Sequence, residues 1–182
     1  MKNQVNRKSS SFFFVLFILF MIKATAQSDE LIIIDSNYSQ KQQVLNNKPA
    51  GSMVLEIGSE ENAWKVIRNY LEQNQSIEAL HLFANANYNS IALGSNLYDS
   101  EAIDQEFELS MLEGLYQGTN LQLLIYDCNL GSNAEGLALL KKISERSYFN
   151  IAIPTNCSSV MGNDLVFDHT TLNQPIKNSI FQ

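Results

Sequence analysis

The stretch Leu121-Gln122-Leu123-Leu124-Ile125-Tyr126-Asp127-Cys128-Asn129-Leu130-Gly131-Ser132-Asn133-Ala134-Glu135 decides the fold. Leu121 to Tyr126 is a short, nearly continuous apolar run, as in strands buried on both faces of a parallel sheet. Ser132-Asn133-Ala134-Glu135 has the form of a capping box. It opens a helix through Leu137, Leu140 and Ile143, so a central strand passes directly into a helix.

The same alternation extends outward. Leu31-Ile32-Ile33-Ile34, ending at Asp35-Ser36, predicts a first strand, and Met53 to Ile57, ended by Gly58, a second. Ser59 is then expected to cap a helix with Glu60 and Glu61 in its first turn and Trp64, Ile67 and Leu71 facing inward. Ile77 to Ala84 reads as a third strand. Ser90 to Asp99 reads as a small hairpin turning at Gly94-Ser95-Asn96. Ser100 is expected to cap a helix with Ile103, Phe107, Met111 and Leu115 on its core side, closed by Gly118. Tyr148 to Ile153 is a fifth strand stopped by Pro154, and Leu165-Val166-Phe167 offers one more.

Strands alternating with helices of this length predict an α/β fold with a mainly parallel, five- or six-stranded sheet and helices on both faces. Function in such folds sits beyond the carboxyl ends of the strands. That rule selects Asp35-Ser36, Asn85 to Asn89, Asp127-Cys128-Asn129 and Thr155-Asn156-Cys157.

Residues 1–26 read as an address. Lys2, Arg7 and Lys8 make a positive start, Phe12 to Ile22 is an unbroken apolar run, and Ala24-Thr25-Ala26 supplies small residues for cleavage. This is the layout of a secretory signal peptide, and the run is shorter than the ~20 residues of a membrane span. The expectation is an exported protein, periplasmic or at the cell surface, with one domain over residues 27–182. The chain has 182 residues, 12 basic and 19 acidic, net −7. Loss of the leader removes Lys2, Arg7, Lys8 and Lys23 and no acid, leaving 8 basic residues and a net charge of −11 on 156 residues. Such a balance argues against nucleic acid as partner, which calls for clustered Lys and Arg. No later apolar run reaches membrane length, so no stable span is expected after cleavage.

Cys128 is the leading chemical candidate. It follows the most apolar strand and precedes a helix start, where the dipole favours a thiolate; the adjacent Asp127 opposes this. Cys157 lies just past the next strand, and in an oxidising compartment the two could form a disulfide. Nucleophile, buried thiol and disulfide all remain open at this level. A Cys nucleophile needs a base, and the chain has two His. His81 lies inside the third strand and reads as a satisfied core residue; His169 lies in the tail. No spacing fits a zinc site, no phosphate loop, Gly-x-Ser-x-Gly elbow or calcium loop occurs, and no cofactor is expected.

Leu31-Ile32-Ile33-Ile34-Asp35-Ser36, Ala79-Leu80-His81-Leu82-Phe83-Ala84-Asn85-Ala86, Leu123-Leu124-Ile125-Tyr126-Asp127-Cys128-Asn129 and Gly162-Asn163-Asp164-Leu165 together resemble the bacterial domain of unknown function 4347. This family is found mostly at the N-terminus of very large adhesin-like surface proteins. The resemblance covers roughly residues 31–168 and implies a caspase-like three-layer sandwich. In that group a His-Gly follows the third strand and a Cys the fourth, forming a dyad. Cys128 matches the nucleophile, Asn85 stands at the dyad His, Ala86 at its Gly, and Asp127 at the Gly before the Cys. Asn cannot accept the proton. The resemblance therefore implies a catalytically inactive domain with a binding or surface-organising role toward an unknown protein or cell-surface partner. The alternative is a cysteine hydrolase that uses Cys128 with another base, such as His169 or His81.

Overall fold

A computed structural model of the chain describes residues 29–181; the leader segment lies outside them. Six strands form the main sheet: β1 (Glu30–Asp35), β2 (Met53–Ile57), β3 (Ala79–Phe83), β7 (Gln122–Ile125), β8 (Asn150–Ile153) and β9 (His169–Thr170). Their order is β2-β1-β3-β7-β8-β9. The first five are mutually parallel, and β9 pairs antiparallel with β8. The fold is α/β with a mainly parallel sheet in a layered sandwich. The four middle strands are buried along nearly their whole length because alternate residues serve opposite faces.

One face carries Leu31, Ile33, Leu80, Leu82, Leu123, Ile125, Ile151 and Ile153. It is covered by α2 (Ala63–Gln73), α3 (Ser100–Gln105), α4 (Phe107–Tyr116) and α5 (Ala134–Ser147), which contribute Trp64, Ile67, Leu71, Ile103, Leu109, Leu112, Leu139, Leu140 and Ile143. The other face carries Ile32, Ile34, Phe83, Leu124, Tyr126 and Ala152. Its cover is the short α1 (Lys41–Asn47), through Val44, and an irregular C-terminal tail bearing Val160, Leu165, Phe167, Ile176, Ile180 and Phe181. A smaller antiparallel sheet, β4 (Asn85–Ala86), β5 (Ile91–Leu93) and β6 (Asn96–Tyr98), leaves the end of β3. It contains the expected hairpin with one added strand.

Several local expectations are corrected. Ser59 does not cap α2. Asn62 does, accepting Lys65 N at 2.9 Å, because Gly58 to Glu61 is occupied by a turn closed by Glu61 on Gly58 N. Ser100 lies inside α3, capped by Asp99. The single helix expected from Ser100 is two helices broken at Glu106, whose extended backbone and carboxylate cap on Glu108 N reset the helical phase. Leu109 and Leu112 therefore turn inward, while Phe107, Met111 and Leu115 stand 67%, 44% and 46% exposed. Asn133 caps α5, and Ser132 ends a 3-10 turn at Leu130–Ser132. Leu165-Val166-Phe167 is not a strand. The sixth strand is His169–Thr170, placed by antiparallel pairing with β8. The short α1 carries little apolar pattern to announce it: of its seven residues only Val44 is buried, with Leu45 packed beside it.

Gly94 is the closest approach between the small sheet and the helical layer. It has φ +63°, and a Cβ there would lie 2.3 Å from the Glu61 carbonyl oxygen. Its N–H donates to Asp35 Oδ2 at 2.7 Å, tying the hairpin to the end of β1. Gly94→Ala combines backbone strain with overpacking and is expected to cost about 3 kcal/mol. Urea unfolding should show a lower midpoint at unchanged slope.

Candidate functional site

The carboxyl ends of β1, β3, β7 and β8 form one rim. The sheet order places a topological switch between β1 and β3, since the chain steps from β1 to β2 on one side and then to β3 on the other. Each loop at this rim is built on polar side chains that satisfy backbone groups. Asp35, 3% exposed, accepts from Asn37 N at 2.8 Å as well as from Gly94 N. Asn87 Oδ1 accepts from Asn89 N and Ser90 N. Asp127 Oδ1 accepts from Asn129 N at 2.8 Å and Leu130 N at 2.6 Å, so it caps the 3-10 turn after β7. Asn133 then accepts from Glu135 N and Gly136 N and starts α5.

Asn85 and Cys128 stand just past the ends of the paired strands β3 and β7. Asn85 donates its amide to Asn37 O at 2.9 Å and accepts from Ser39 N at 3.2 Å. Both ends of the side chain thus clamp the β1–α1 loop across the switch point. Cys128 is half-buried, and its sulfur is bonded to Cys157, the Cα atoms lying 5.2 Å apart. The bond joins the loops that follow the neighbouring parallel strands β7 and β8. A disulfide sulfur has neither a proton to lose nor a lone thiolate to attack with.

The two imidazoles lie elsewhere. His169, half-buried in β9, pairs in register with Ile153, and its charged neighbour is Asp168. His81 is fully buried in the middle of β3 on the tail-covered face. Its Nδ1 is 3.0 Å from Tyr126 Oη, and its Nε2 lies 3.3 Å from Glu30 Oε2, an ion-pair contact rather than a straight hydrogen bond. Tyr126 Oη in turn accepts from Ile180 N at 3.0 Å. Neither His is hydrogen-bonded to Cys128.

The Tyr126 ring stacks on Phe83 at 4.2 Å and meets Phe167 and Phe181 edge-on at 5.1 and 5.9 Å. Burial pushes its hydroxyl up to about 12, so it stays a neutral donor. Burial, and then the Asp127 charge, likewise push Tyr38 up to about 12. Lys177 reaches Asp29 and Glu30 from the tail, the latter at 3.2 Å. His81 first, and then Lys177, hold the Glu30 carboxyl down to about 2 against the opposing effect of burial. Sequence reading missed this cluster. Its one sequence signal was the pair of polar residues, His81 and Tyr126, inside otherwise apolar strands, and nothing local marked Lys177 as their neighbour.

Two glycines show how tightly the rim is filled. A Cβ on Gly131 would lie 2.3 Å from Pro154 O, and one on Gly136 would lie 1.9 Å from Leu130 O and 2.9 Å from Tyr88 O. The β7–α5 connection is therefore packed against both its neighbours. Among the described residues no group of three or more His, Cys, Asp or Glu could hold a metal ion. No helix among them is long and apolar enough to cross a membrane.

A carboxylate held below its usual value favours the fold wherever it is ionised. For Glu30 that contribution is complete above about 4.5 and is lost as pH falls toward about 2. Urea midpoints should therefore drop between about pH 5 and about pH 3, with a shallower drop in Glu30→Gln. The Glu30 side chain is 34% exposed, so solvent moderates the effect.

A family model described as "Domain of unknown function (DUF4347)" matches residues 31–164, the greater part of the chain. The chain belongs to that family. No curated protein and no solved structure matches it.

Proposed function

We propose that the chain is an exported, catalytically inert domain of caspase-like ancestry, serving as a binding or cell-surface organising module. One observation carries this reading. At the rim where a hydrolase of that type would keep its nucleophile and base, the Cys128 sulfur is bonded to Cys157 and Asn85 is used as a backbone clamp. Neither group can then perform the proton transfer and attack that acyl transfer requires. Asp127, which stands where the resemblance places the Gly before the Cys, has its carboxylate committed to capping a turn.

Export is supported by the leader layout of residues 1–26. A disulfide persists in compartments outside the reducing cytosol, which agrees with it. What remains available at the rim is recognition: a surface rich in amide and hydroxyl groups on a mature chain of net charge −11. The partner is a protein or other cell-surface component.

An electrophilic peptide probe tests the reading. The mature, oxidised protein should take up no probe at Cys128 and should release no product from a library of peptide amides. Stoichiometric labelling without prior reduction would contradict inertness if it were abolished in Cys128→Ala and slowed in His169→Ala. The site would then be a working cysteine hydrolase with a different base.

A further inference from the structure

Residues 156–167 leave the end of β8 and cross the tail-covered face before the chain returns as β9. They contain neither helix nor strand. The flanking residues meet at one carboxylate: Asp168 accepts from Thr155 N and from Thr155 Oγ1, both at 2.6 Å. Burial opposes it, but these two bonds hold the Asp168 carboxyl below its ordinary value, so the clasp is charge-assisted. Between the flanks the loop turns on itself through Gly162 N to Ser159 O and Leu165 N to Gly162 O. It sits on the sheet through Val160, Leu165 and Phe167, each no more than 8% exposed. A compact segment of this length with adjoining ends has the form of an Ω-loop, here with its apolar side chains turned onto the sheet. Such a unit can move as a body about its ends without disturbing the strands on either side.

One covalent bond crosses from this loop to the sheet. Cys157, its second residue, is bonded to Cys128 at the end of β7. Both cysteines are half-buried at the edge of the second core cluster. We propose that residues 156–167 are a redox-latched lid: the Cys128–Cys157 bond holds it closed, and a low-molecular-weight thiol opens it about a hinge at Thr155 and Asp168. The inference rests on the disulfide that also underlies the inert reading of Cys128.

The chemistry balances as ordinary exchange. A thiolate of the reductant attacks one sulfur, the protein S–S bond breaks, and the expelled cysteine takes a proton. A second reductant thiolate attacks the mixed disulfide and expels the other cysteine, which is protonated in turn. The protein gains two S–H groups, and the reductant leaves as its disulfide. With the tie gone, the lid is held on the sheet by the apolar side chains of Val160, Met161, Leu165 and Phe167. Lifting it takes Phe167 off one edge of the Tyr126 ring and uncovers the Cys128 thiol.

Hydrogen exchange followed by mass spectrometry on the mature chain, oxidised and after full reduction by a dithiol, tests the lid. Thiol counts under denaturing conditions are made on both samples. The expected counts are none and two. Exchange within 156–167 should rise about tenfold or more on reduction while β1, β3, β7 and α5 stay protected. Cys157→Ser, which needs no reductant, should reproduce the rise and make Cys128 alkylatable under native conditions. Unchanged exchange in 156–167 at a count of two overturns the lid while leaving the disulfide intact as a finding. A rise spread through the central strands also overturns it, because the bond would then hold the whole fold. Two free thiols in the untreated protein would remove the latch and the inert reading together.

Discussion

The ring and hydroxyl of Tyr126 close the second face of the sheet, and most of the remaining architecture follows from the need to close it. A mainly parallel sheet built from strands such as Ile32 to Ile34 and Leu123 to Tyr126 is apolar on both sides, and both sides must leave water. Helices from the crossovers cover one side. On the other, the described residues supply only the seven-residue α1 and a tail without helices. That tail has little regular hydrogen bonding of its own, so its placement depends on side chains. Tyr126 provides the seat: Phe83 beneath, Phe167 and Phe181 at its edges, and an oxygen that accepts Ile180 N. His81 Nδ1 lies 3.0 Å from the same oxygen, and Lys177 ties the same stretch of tail to Asp29 and Glu30.

This arrangement has a consequence at the carboxyl-end rim. The tail must pass the ends of β7 and β8 to reach the face it covers, and the Cys128–Cys157 bond sits at that crossing. The rim is thus occupied by architecture. Asp35 carries the hairpin, Asn85 clamps the β1–α1 loop, Asp127 and Asn133 cap successive turns, and Gly131 and Gly136 leave no room for a side chain. A hydrolase needs several of those groups free and a hollow between them.

Elements whose signal lay in their own apolar pattern were legible in the sequence. The five parallel strands, the inward row of Trp64, Ile67 and Leu71, the hairpin at Gly94 and the alternation that makes the sheet parallel could all be read from the residues. Features decided by a single polar contact or by distant pairing were not. The break at Glu106 depends on one carboxylate turning back to Glu108 N, and it reverses which side of Phe107, Met111 and Leu115 meets water. Strand β9 exists because β8 offers an unpaired edge, which no local pattern in His169-Thr170 announces. At the site, the positions of Asn85 and Cys128 past adjacent strands could be read in advance. The use of Asn85 as a clamp could not, since its partners Asn37 and Ser39 are more than forty residues away. For the cysteines, spacing left three states open, and the parallel neighbourhood of β7 and β8 is what brings Cys157 within reach of Cys128.

The account turns on the covalent state of Cys128. Proteolytic mapping of the protein without reduction, after blocking any free thiol at acid pH, reads that state directly. The account predicts one linked species joining the peptides that contain Cys128 and Cys157, which separates into two on reduction. Recovery of both peptides unlinked, each carrying the blocking group, would contradict it.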